Sequence, residues 1–251
     1  MNALKILFLC LVCLPMSSNA EHSIFLSFDY LQSKDSFNHG ILFEGQDYRL
    51  GYRNTAQIGN YNIELESALK FGTSKGKGIL GLNIAIQPFK LFVGRKVSII
   101  NEVATKIGFE LGTYYRFSLY PDLQMGDDFW ITAYTLSPSI IVEIPVKNNK
   151  LRLKLSNSLL SLISRPDEKK DEYYFSLRAG DILRDIHSNF SINLPHSFNY
   201  FDFEADYNFL LYNNHFSLGY FFKHLAYLKG PEIRELNHGI KLEYYWGAHY
   251  E

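Results

Sequence analysis

His215-Phe216-Ser217 sets an imidazole and a hydroxyl two residues apart, so on an extended segment both side chains leave the same face. A nucleophile beside a base is the minimum a serine hydrolase needs, but no spacing supplies an orienting carboxylate or amide. A barrel enzyme acting on lipid would aim that pair at the bilayer. Here Phe216, Leu218 and Tyr220 take the apolar face, and the pair shares its phase with Gly219 and Lys223. Its chemistry would therefore point into an interior or sit at a rim beside the turn. His196-Ser197 and His187-Ser188 are adjacent pairs on irregular sequence and read as solvated polar residues. Asp181, Arg184, Asp185 and His187 gather carboxylates and an imidazole, yet no HExxH or comparable ligand spacing occurs among the eight histidines. An external loop of ordinary charges is the expectation, with no metal and no cofactor. Gly72-Thr73-Ser74-Lys75-Gly76-Lys77-Gly78 lacks P-loop spacing and reads as a hairpin loop.

The charges that alternate with apolar residues carry more information. Arg49, Arg53, Arg116, Arg152, Lys154 and Arg178 fall on the same phase of their segments as Glu64, Glu66, Glu110, Asp202, Glu204 and Asp206 do on theirs, and are expected to face one interior. Two readings follow. The charges neutralise and brace one another, since charges removed from water need partners. Alternatively they line a narrow wet pore in which Arg49, Arg53, Glu110, Arg116, Arg152, Lys154, Asp202, Glu204 and Asp206 orient a small polar solute.

The segments that must hold these residues alternate with a period of two. Phe201, Phe203, Ala205, Tyr207, Phe209 and Leu211 make one face of a strand; Asp202, Glu204, Asp206 and Asn208 make the other. The same pattern recurs from Ser23 to Tyr30, Tyr48 to Arg53, Tyr61 to Phe71, Leu80 to Gln87, Ile107 to Leu119, Trp130 to Val146, Leu151 to Leu159, Tyr173 to Ala179, Phe216 to Lys223 and Gly239 to Trp246. Phe89, Leu91 and Val93 suggest another strand. Pro138 points to a bulge. The expectation is an all-β fold, a transmembrane antiparallel up-and-down barrel of about 12 strands, within 10 to 14. Short polar turns at 147–150 and 212–215 suit the periplasmic side. Longer stretches at 32–46, 165–172, 180–198 and 229–235 suit the exterior.

Residues 1–20 have the form of a secretory signal, with Lys5, an apolar Ile6-to-Leu14 stretch and Ser17-Ser18-Asn19-Ala20 before Glu21. Cys10 and Cys13 both lie within it, so residues 21–251, read as one barrel domain, contain no disulfide or thiolate ligand. Leu11-Val12 ahead of Cys13 does not suit lipidation. Without Lys5, 24 basic residues (25 less one) face 26 acidic ones, which excludes the basic field of a nucleic-acid binder.

A secreted sandwich or lipocalin-like binding protein also alternates, but turns its apolar face inward. Strands of 10 to 14 residues exceed the usual soluble length of about 5 or 6. Aromatics near segment ends (Tyr30, Tyr120, Trp130, Tyr212, Trp246) suit interfacial girdles. The strand from Ile107 to Leu119 followed by Pro121, the stretch Tyr174-Phe175-Ser176-Leu177, the element around His196 and Leu218-Gly219-Tyr220 together resemble a family of uncharacterised outer-membrane β-barrel proteins of Bacteroidota, most strongly over 106–246. The resemblance implies fold and location in the cell outer membrane of a Gram-negative bacterium, and carries no activity. Bacterial barrels usually end in an aromatic residue, whereas this chain ends Tyr250-Glu251; the assembly signal is then expected at Trp246 or Tyr250. The sequence thus points to a non-enzymatic, porin-like or structural membrane protein. Its expected partners are the outer-membrane bilayer, the barrel-assembly machinery during biogenesis and a small polar solute, with a lipid- or lipid A-modifying hydrolase as the alternative.

Overall fold

A computed structural model describes residues 20–36, 40–100, 103–121, 129–165, 187 and 189–247 (backbone alone at 98–100 and 129). Residues 1–19 of the expected signal, the Tyr173-to-Ala179 segment, Arg178, Asp181, Arg184 and Asp185 lie outside these.

The strands are β1 (Ala20–Asp35), β2 (Leu42–Ile58), β3 (Tyr61–Gly76), β4 (Ile79–Ile100), β5 (Val103–Leu119), β6 (Phe129–Val146), β7 (Asn149–Asn157), β8 (Leu160–Ser164), β9 (Ser191–Asn193), β10 (Phe198–Leu211), β11 (Asn214–Tyr227) and β12 (Ile233–Gly247). Antiparallel neighbours β1 to β7 continue through β10, β11 and β12, which pairs back onto β1, so ten strands close the ring. Closure leaves no hydrogen-bonding edge in the ring. Followed from Phe28 through Tyr48, Phe71, Ile84 and Phe117, the register reaches β6 at Trp130. Followed the other way, through Ile240, Tyr220, Ala205 and Leu153, it reaches β6 at Val142. That offset is the stagger that tilted strands need in order to close.

β8 and β9 are the two strands outside the ring. β7 pairs with β6 over Ser139 to Val146, and β8 takes over at Thr132 to Leu136. Between them sits Pro138, which lacks the N–H a ladder would use. Leu159 and Leu160 both face outward there, 50% and 41% exposed, and the Leu159 amide donates to the Leu136 carbonyl at 2.9 Å. β8 is thus β7 resumed after a bulge.

Phe89, Leu91 and Val93 do not form a separate strand. They continue β4 past Pro88, where the register slips between Ile86 and Lys90. Ser67 Oγ donates to the Pro88 carbonyl at 2.6 Å, and Thr113 Oγ1 bonds both the Phe89 amide (3.3 Å) and its carbonyl (3.1 Å), so the irregularity leaves those groups satisfied. Gly72 to Gly76 belong to β3 rather than to a loop; the turn is Lys77-Gly78 alone, both at positive φ (49° and 87°). Likewise 32–35 and 42–46 are strand, and 233–235 opens β12.

The outward face is apolar. Leu26, Leu218, Leu242 and Phe109 are each more than half exposed, while Ser27, Arg53, Glu204 and Lys241 are buried in the interior. A soluble sandwich or lipocalin would show the reverse. Turns 59–60, 147–148 and 212–213 lie at the end that also holds Ala20 and Gly247. Around that end an aromatic row runs Tyr52–His22–Trp246–Tyr244–Phe216–Phe209–Tyr207, with ring centroids 5.3 to 6.2 Å apart. Tyr30, His238 and Tyr220 form a second band toward the other end. Tyr120 belongs to neither band. It is 3% exposed, inside the barrel, with its ring 4.5 Å from that of Phe43.

Candidate functional site

Because side chains alternate along each strand, the ring delivers one polar row per strand to the lumen. Those rows meet as a single ion-pair network. Glu204 on β10 lies 3.0 Å from Arg53, 3.4 Å from Lys90 and 3.2 Å from Lys241. Asp206 meets Lys241 at 2.9 Å and Arg152 at 3.3 Å, and Asp202 meets Lys90 at 2.7 Å and Lys223 at 3.3 Å. Glu66 joins Arg49 to Arg53; Glu64 joins Arg152 to Lys154; Glu110 joins Lys154 to Lys90; Glu243 joins Arg53 to Lys241. Among the described residues the network holds seven cations and seven carboxylates, so it is neutral without added ions.

Phe25 sits inside this network under Arg49, Arg53 and Lys241, whose charged atoms lie 5.0, 5.8 and 5.7 Å from its ring centroid. Cations on a ring face gain from its quadrupole, so an apolar side chain serves here as a further partner. Gly51 opposite makes room: a Cβ there would lie 2.1 Å from the Phe25 ring.

Of the nine lumen candidates, the structure brings Arg49, Arg53, Glu110, Arg152, Lys154, Asp202, Glu204 and Asp206 into the network. Arg116 stands apart, paired with Glu235, which also approaches Lys70 (3.8 Å); Lys70 in turn holds Asp47 at 2.9 Å. Lys90, Lys223, Lys241 and Glu243 are not among the candidates. Lys241 and Glu243 alternate with Ile240 and Leu242, a legible signal; Lys90 follows Pro88, where the phase breaks. The sequence places Arg165 in an exterior stretch, but it is 7% exposed. It pairs with Asp35 at 2.9 Å, donates to the Pro231 carbonyl at 2.6 Å and lies 5.4 Å from the Tyr227 ring.

Toward the end opposite the short turns, the lumen turns apolar. Ile41, Phe43, Tyr120, Ile131, Ala133, Ile163, Phe198, Leu225, Tyr227 and Ile233 pack together across it. Between plug and network, a cavity of about 30 Å³ lies among Asp29, Tyr114, Tyr200 and Glu235, and one of about 20 Å³ beside Gln87 and Thr135. Such spaces suit one or two waters each.

Ser217 also faces the lumen, wholly buried, and its hydroxyl makes no hydrogen bond among the described residues. His215 lies at the turn end of the same strand, half-buried. His187 Nε2 lies 3.0 Å from the Tyr115 hydroxyl, and His196 is exposed. No group of three metal-ligating side chains occurs among the described residues.

The chain matches no known family profile and none of the curated protein sequences. Its fold does match solved structures. The crystal structure of the outer membrane protease OmpT from Escherichia coli aligns with a TM-score of 0.56 at 8% identity, over 91% of this chain and 96% of that one. The translocator domain of the autotransporter NalP from Neisseria meningitidis (TM-score 0.49, 10% identity, 96% and 93% covered) and the transport unit of the autotransporter AIDA-I from Escherichia coli (0.41, 8%, 90% and 90%) also align. At such identities the likeness concerns fold alone: this chain folds as an outer-membrane β-barrel.

Proposed function

We propose that this protein is exported to the outer membrane and acts there as a filled, rigid barrel that presents its loop-bearing end to a partner. The observation that carries this reading is the lumen, occupied by a neutral network of seven cations and seven carboxylates beneath an apolar plug. A conduit for a polar solute needs a continuous path at least one water wide, and the described interior offers cavities of about 30 and 20 Å³. The arrangement also supports rigidity, because moving any one of these charges uncovers another.

The test is a planar-bilayer recording of purified, refolded protein whose barrel is verified by a boil-dependent shift on a denaturing gel. A baseline matching an empty bilayer is expected. Reproducible conductance steps whose ion selectivity changes on replacing Asp202, Glu204 and Asp206 by Asn would reinstate the solute channel. The hydrolase alternative draws little support from a buried Ser217 facing away from lipid. Any lipase or deacylase activity should survive Ser217→Ala unchanged.

A further inference from the structure

The seam between β1 and β12 reads as a depth scale on the outer wall. Its outward cross-strand pairs ascend from Leu26–Leu242 and Phe28–Ile240 through Tyr30–His238 to Gln32–Leu236 and Lys34–Arg234. Hydrocarbon-facing pairs thus give way to an aromatic pair and then to two cations. Lys34 stands four positions beyond Tyr30, which at the usual strand rise and tilt is about 10 Å of depth. With the aromatic pair at the bilayer interface, the cations stand at the level of lipid headgroups, and their long stems can bend toward it.

Like charges directly opposite across an antiparallel pair repel. In the lumen every comparable charge is met by a carboxylate. Here Glu232, 3.7 Å from Arg234, is the single carboxylate within ion-pair distance of either cation among the described residues, and Lys34 has none. Arg234 is open to solvent, its side chain 63% exposed. A groove of about 220 Å³ at this rim is lined by Lys34, Ser36, Gly40, Glu232 and Arg234.

We infer that Lys34 and Arg234 form a clamp for the phosphate of an outer-leaflet lipid headgroup. Two cations paired across the strands and lining one groove relieve their repulsion on one phosphate, and a guanidinium can grip two of its oxygens. The inference rests on the membrane placement proposed above and not on the scaffold role.

The test is native mass spectrometry of the intact detergent-released protein titrated with dioleoyl phosphatidic acid or, as the phosphate-free control, dioleoylglycerol. Retention of phosphatidic acid over dioleoylglycerol is expected, at least tenfold weaker in the K34Q/R234Q double variant. Lys34→Arg should retain it, and so should Lys75→Gln, an exposed cation elsewhere on the rim. Both changed side chains of the double variant point outward, so its boil-dependent gel shift should persist. Equal retention of the two lipids, or undiminished binding by the double variant, overturns the clamp. Displacement by inorganic phosphate at the concentration of half-saturation by the lipid overturns the lipid source, leaving a site for the free anion.

Discussion

Glu204 is the residue on which the lumen turns, because one carboxylate faces Arg53, Lys90 and Lys241 at once. Glu204→Gln leaves those cations short of a counter-charge inside a barrel that water scarcely enters. Removing one partner of a buried pair typically costs about 3–5 kcal/mol, so the urea midpoint in lipid vesicles should fall by that equivalent. The Lys106–Glu143 pair at 2.8 Å is the contrast, with both side chains more accessible (16% and 17%). Glu143→Gln should cost less than about 1 kcal/mol. Equal losses for the two variants would mean that water reaches the network.

At the scale of elements, two features position the site. Gly51 lets β2 pass under the Phe25 ring, so Gly51→Val should prevent β1 and β2 from seating in register. The expected readout is loss of the heat-modifiable band with the unfolded chain still present. The Tyr212-Asn213 turn has both residues at positive φ (50° and 62°). That backbone suits the hairpin twist but strains a tyrosine. Tyr212→Asn should therefore stabilise by about 1 kcal/mol, visible as a higher urea midpoint, and leave the lumen untouched. β4 and β7 teach a related point. Each carries a break at or opposite a proline, and each break is bridged by hydrogen bonds instead of opening the wall.

For the whole molecule, neutrality inside and hydrocarbon outside set the response to salt. Raising salt from 0.1 to 1 M shortens the screening length from about 10 Å to about 3 Å, but buried pairs feel little of it. Stability in vesicles should change by less than about 1 kcal/mol. A steep loss would show that the network is solvated. Orientation has its own test. The turns at 147–148 and 212–213 share an end with both strand termini, whereas 77–78 and 229–231 lie at the other. A protease site inserted at 229–231 should be cut in intact cells, and one inserted at 212–213 only after the outer membrane is permeabilised. The reverse pattern would invert the barrel and put the Lys34–Arg234 clamp on the wrong leaflet.

The sequence by itself determined which residues share a face, because alternation is local: Asp202, Glu204 and Asp206 can only lie together. It also showed that the polar faces carry charges of both signs; the exposure of Leu26, Leu218 and Leu242 decided that those faces turn inward. The ten ring strands fall at the low end of the 10 to 14 expected, since Pro88 interrupts a pattern without ending the strand, and one bulge is indistinguishable in sequence from two strands. Only closure decided that Glu204 on β10 meets Lys90 on β4, a residue brought to it across the barrel by tilt and stagger. Only closure, again, turned Phe43, Tyr120, Phe198 and Leu225 into a plug. An apolar residue on an inward phase looks like any other until the opposite wall supplies its neighbours. The emptiness or fullness of a barrel is a property of its diameter, and the diameter follows from strand number and stagger, which no single strand encodes.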